Sequence, residues 1–151
     1  IMDKAYFPYV NKSIEFLLKR SLYLCEYLIK NNVSEIILAC NTLSLIALPF
    51  LKLFYSNIRG VFEELLPYID SKSLIICSNS LKNKLKEHYN NTIINGNKLI
   101  YRIENNIDYT NLLKIIDRLS IGYSNIIFAC THFIEIDYPF RIKYYKNMNN
   151  K

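Results

Sequence analysis

The sequence predicts an α/β fold of two pseudo-symmetric lobes, each a mainly parallel sheet flanked by helices. Two observations carry that expectation. Short apolar runs of strand length alternate with amphipathic segments of helical period, and such alternation builds parallel sheets from βαβ units. Two of the strand ends also match. Ile37-Leu38-Ala39-Cys40-Asn41-Thr42 and Ile127-Phe128-Ala129-Cys130-Thr131-His132 each run from an apolar strand through Ala-Cys into two polar residues.

The elements follow in order. Residues 13–31 read as a helix, with Phe16, Leu17, Leu24, Leu28 and Ile29 at helical spacing against polar Lys19, Arg20 and Glu26. Ser13 is placed to cap it, and Asn31-Asn32 to end it. Residues 35–39 are a buried-type strand, Asn41 and Thr42 a loop and cap, and residues 43–53 a helix whose course Pro49 disturbs. Residues 59–62 read as a strand end and residues 63–67 as the opening of a short helix. Then come a strand at 73–77, a helix at 81–89, a strand at 98–103, a helix at 111–119 and a strand at 124–129. The end, residues 141–151, is rich in Lys, Tyr and Asn and is expected to fray. The expected division is a first lobe over residues 1–62, a second over 63–135 and a basic tail over 136–151.

Composition removes several function classes. With 51% hydrophobic and 21% charged residues the chain is globular rather than disordered. No apolar run reaches the roughly 18 residues of a membrane span, and the longest, residues 43–55, contains Pro49 and Lys52. Only three glycines are present, with no G-x-G-x-x-G or Walker sequence, so a phosphate-cradling loop is not expected. The net charge of +6 comes from lysines scattered among Asn, Ile and Tyr, without the basic and aromatic stripe of a nucleic-acid surface. Four cysteines without a C-x-x-C pair, and two histidines, argue against a zinc site or a disulfide framework. No membrane or nucleic-acid partner is therefore expected. The chain starts at Ile1 without a signal-peptide pattern. It is read as a cytoplasmic fragment.

The chemistry is expected just beyond the strand ends, where ligands bind in parallel sheets. A cysteine there meets free backbone N–H groups, which are expected to lower its pKa. A lone buried cysteine is more often a small hydrophobe; the repeated Ala-Cys context favours function for Cys40 and Cys130. Cys25 falls inside a helix and is assigned to the core. Cys77 ends a strand before Ser78-Asn79-Ser80 and is read as structural.

On these residues the sequence resembles the glutamate racemases of the aspartate/glutamate racemase superfamily. Phe7-Pro8-Tyr9-Val10-Asn11-Lys12-Ser13 is similar to the family's Pro-Tyr-Gly-x-Lys-Ser segment, with Val10 in place of its glycine. Ala39-Cys40-Asn41-Thr42 and Ala129-Cys130-Thr131-His132 match its two catalytic motifs, and Gly60-Val61-Phe62-Glu63 resembles its crossing between lobes. The resemblance implies an active site in the cleft between the lobes, no cofactor, and interconversion of L- and D-glutamate by two thiols. It implies catalytic roles for Cys40, Cys130 and His132. Tyr9, Val10, Asn41, Thr42, Thr131 and His132 would contact substrate. Glu104, as an acid assisting the second cysteine, and Ser80 with Asn83, as a substrate-side stretch, are weaker correspondences.

It further implies a small-molecule substrate, D-glutamate for peptidoglycan, and allows a homodimer. Two departures stand out. The family's upstream Asp-Ser-Gly loop is absent, and its Tyr-Pro-Leu-Leu continuation is replaced by Phe133-Ile134-Glu135-Ile136. The chain is therefore expected to be truncated at both ends and to racemise poorly as it stands. The alternatives left open are an inactive remnant or binding protein of the same fold, and a racemase acting on aspartate or another amino acid.

Overall fold

A computed structural model of the chain describes residues 3–6, 9 and 12–147. The described part is α/β, with two parallel sheets flanked by helices. Helix α1 (Ile14–Lys30) opens on Ser13, whose Oγ accepts from the backbone N–H of Phe16 at 3.2 Å. It buries Leu17, Ser21 and Cys25, a stripe with a four-residue step. It ends at Asn31, and Asn32 then takes a left-handed φ of 59°, which asparagine tolerates better than most residues. Strand β1 (Ile36–Leu38) buries Ile36 and Leu38 and pairs in parallel with β2 (Ile58–Gly60).

Between these strands the single expected helix is two. Helix α2 (Asn41–Ile46) stops at Ala47, and α3 (Leu48–Leu51) restarts with Pro49 in its first turn. Proline has no N–H to donate back into α2, so the helix breaks just ahead of it. Gly60 lets β2 approach α2 closely. A Cβ there would lie 2.6 Å from Ser44 Oγ, which donates to the Leu38 carbonyl.

The chain crosses to the second sheet through short 3-10 turns at Val61–Glu64 and Leu66–Tyr68. The second sheet contains β3 (Ser73–Cys77), β4 (Thr92–Asn95), β5 (Asn125–Ala129) and β6 (Lys143–Lys146), in the order β4-β3-β5-β6, all parallel. Every residue of β3 and β5 is buried. The pleat sends alternate side chains to two cores: Ile75, Cys77, Ile127 and Ala129 to one, Ile76, Ile126 and Phe128 to the other. Helices α4 (Asn79–Leu85), α5 (Asn97–Glu104) and α6 (Thr110–Leu119) complete the layers.

Two sequence expectations are corrected here. Residues 98–103 form α5, not a strand. Leu99 and Ile100 are buried and Ile103 packs beside them, a helical stripe, whereas Tyr101, on a strand's Leu99 face, is 60% exposed. The strand in this region is the unforeseen β4, which carries only Ile93 and Ile94 between polar residues. Residues 141–147, expected to fray, are also tied down, and residues 148–151 lie outside the described residues. In β6, Tyr144 packs into one core and Tyr145 into the other. Tyr145 stacks on Tyr68 with ring centroids 4.1 Å apart, and Lys146 Nζ donates to the carbonyls of Ile134 and Ile136. Among the described residues no helix is long and apolar enough to cross a membrane.

Candidate active site

Because all strands run parallel, their carboxyl ends gather their following residues on one side of each sheet. Cys40 follows β1 and caps α2; Cys130 follows β5 and caps the 3-10 turn Thr131–Glu135. Both are in extended backbone (φ −138° and −150°). The two come from different sheets, yet they line one cavity of about 410 Å³. Tyr9, Asn41, Thr42, Thr131 and His132 line it as well, together with Asp3 and Ser78. Thr42 Oγ1 lies 3.3 Å from Ser78 Oγ, and this contact joins α2 to the start of α4 across the cavity.

Cys130 sits in a short relay. Its Sγ is 3.2 Å from His132 Nδ1, and His132 Nε2 is 2.8 Å from Glu104 Oε1. Glu104, at the end of α5, therefore reaches the thiol through the imidazole. On the other side, Asp3 accepts from the Tyr9 hydroxyl at 2.6 Å and from both Nε and Nη2 of Arg20, at 2.9 and 2.7 Å. Arg20 lies over the rings of Tyr6 and Tyr23. The hydrogen bond from Arg20 holds the Asp3 carboxyl below the usual carboxylate range. Burial, then the bond to Asp3, pushes the Tyr9 phenol up.

The expected lowering of the two thiol pKa values does not occur. Backbone N–H groups of Thr42 and Leu43 do draw Cys40 down, but burial outweighs them and its pKa is raised. Burial also pushes Cys130 up to about 12, against the pull of the His132 and Thr131 N–H groups, and the nearby Cys40 and Glu104 add to the rise. Both thiols are therefore protonated at neutral pH. Since only the thiolate alkylates, Cys130 should react with iodoacetamide about tenfold or more slowly than free cysteine at pH 7. Its rate should keep climbing with pH beyond 9. Peptide mapping over a pH series measures this, and a plateau below pH 9 would contradict it.

The chain is 30% identical to the glutamate racemase of Buchnera aphidicola, an alignment covering 88% of this chain and 61% of that protein. It is related to the glutamate racemases. The structure agrees. It superposes on a glutamate racemase of Bacillus anthracis with a TM-score of 0.72 at 16% identity, over 95% of this chain and 64% of that one. It matches the Francisella tularensis glutamate racemase, solved in complex with D-glutamate, at 0.66 and 21%, over 85% and 56%. The chain spans about three fifths of the length of the curated relatives it matches. No family model matches it.

Set beside the racemase motifs, most of the site residues anticipated from the sequence line the cavity. Ser80 does not. Ser78, two residues earlier, lines it, and Ser80 Oγ stands 3.4 Å from Ser78 Oγ. Asn83 is exposed on α4 away from the cavity. Val10 lies outside the described residues. Cys77 is fully buried, and Cys25, buried on α1, is among the residues that line the cavity. Asp3 and Ser78 were missed. Ser78 was findable, since it follows a buried strand just as Cys40 and Cys130 do. Asp3 carries no local signal, because its partner Arg20 lies 17 residues away, inside α1.

Proposed function

We propose that the protein interconverts L- and D-glutamate without a cofactor, using Cys40 and Cys130 as paired acid/base groups. One observation carries the reading: two thiols, on strand ends of two different sheets, line a single cavity with room for an amino acid. Racemisation removes the Cα proton from one face and returns a proton to the other, so it needs two such groups. His132, against Cys130, can take its proton and leave a thiolate, with Glu104 steadying the imidazole. An incoming ammonium group would lower both thiol pKa values in the same way. The Thr42, Ser78 and Thr131 hydroxyls would donate to carboxylate oxygens, and Asn41 would accept from the ammonium. In this reading residues 1–62 and 63–135 serve as the two lobes, the protein is cytoplasmic, a homodimer is compatible, and D-glutamate supplies peptidoglycan synthesis.

The raised thiols favour a second reading, a binding protein of the same fold that does not turn over. One experiment separates the two. In deuterated water, each glutamate enantiomer should lose its Cα proton signal and its optical rotation should drift toward zero. Bound glutamate with no Cα exchange from either enantiomer would leave only the second reading, and exchange of aspartate in preference to glutamate would change the substrate.

A further inference from the structure

Asn147 is 2% exposed and bonds across the fold to Asn41, which is also 2% exposed. Its Nδ2 donates to the Val61 carbonyl at 2.7 Å. A backbone carbonyl can only accept, so this bond decides which end of the Asn147 amide is nitrogen. The other end, Oδ1, lies 2.6 Å from the Asn41 side chain and must meet a donor. Asn41 therefore commits its Nδ2 there. What remains of the Asn41 amide is Oδ1, a buried acceptor with no hydrogen-bond partner among the described residues. Asn41 lines the cavity immediately after Cys40. A buried acceptor left unpaired is costly, and a ligand bearing an N–H donor removes that cost.

We propose that Asn147 is a positioning residue: it locks the Asn41 amide so that Oδ1 is held as the acceptor for the ammonium group of the substrate. This rests on the reading of the cavity as an amino-acid site, and it adds a residue from the segment after β6 to that site. Without Asn147 the Asn41 amide can turn over and offer Nδ2, a donor, to a cation.

The test compares glutamate with glutarate, which has the two carboxylates but no amine. The 151-residue chain should bind glutamate roughly tenfold or more tightly than glutarate, one charge-assisted hydrogen bond's worth. Asn147→Ala should bring that ratio toward one by weakening glutamate alone. Asn147→Asp, protonated in this buried place so that its O–H replaces Nδ2 as the donor to the Val61 carbonyl, keeps an acceptor for Asn41 Nδ2 and should preserve the preference. Equal loss of both ligands in Asn147→Ala would mean a merely structural role and overturn the proposal, as would a wild-type chain with no preference. Should the alanine variant not fold, wild-type side-chain amide exchange decides: the Asn41 and Asn147 Nδ2 protons should exchange far more slowly than those of exposed Asn90, and equal rates would overturn the proposal. Preference for glutamate without deuterium entering Cα would sink the racemase reading and leave this one standing.

Discussion

Cys40→Ala and Cys130→Ala should each lower racemisation of glutamate by roughly a hundred- to ten-thousand-fold, the usual contribution of a positioned acid/base group. The two thiols reach the cavity from different sheets. Removing one leaves one face of the Cα carbanion without a proton donor or acceptor. The remaining thiol can still take a proton from its own side and return a solvent deuteron there. Each variant should therefore keep slow Cα exchange without inversion for one enantiomer, and the enantiomer should differ between the two variants. Proton NMR in deuterated water, read together with optical rotation, separates exchange from inversion. Undiminished racemisation in either variant would exclude a two-thiol mechanism. The relay behind Cys130 gives the two sides different support: His132 and Glu104 stand behind Cys130, whereas Cys40 faces Thr42 and its own helix N–H groups.

The largest stability effect is expected from Phe128→Ala, about 3–5 kcal/mol. Phe128 is fully buried on β5, with ring centroids 5.5 Å from Phe133, 5.5 Å from Phe140 and 6.0 Å from Tyr144. The edge-on contacts with Phe133 and Tyr144 add to the area it buries. Truncation leaves a cavity at the point where β5, the turn after Cys130 and β6 meet. Against a typical total of about 5–15 kcal/mol, that loss is severe. Urea unfolding should show it as a lower midpoint, with Phe128→Leu costing less. A change below about 1 kcal/mol would mean that the cluster repacks freely. Phe133 lies in the turn that follows Cys130, so the variant should also loosen the His132 contact with that thiol.

The sequence by itself determined the strands that matter most and the residues at their ends. Ile36–Leu38, Ser73–Cys77 and Asn125–Ala129 are apolar runs bounded by polar residues, a signal that depends only on neighbours in the chain. The repeated Ala-Cys ends gave the two thiols, and Ser13 gave the start of α1. Elements whose character depends on distant partners were not legible. Residues 98–103 are as rich in strand-forming residues as a strand, and only the second sheet's surface makes Leu99, Ile100 and Ile103 a buried helical stripe. The tail reads as polar and basic, yet Tyr144, Tyr145 and Lys146 find partners along β5 and in the turn that follows it. Only the tertiary structure decided the electrostatics of the site. Local N–H groups lower a thiol's pKa, but burial by both sheets outweighs them at Cys40 and Cys130. It alone brings Asp3 to Arg20 and Asn147 to Asn41, because a hydrogen bond between residues far apart in the chain leaves no periodicity for a sequence to show.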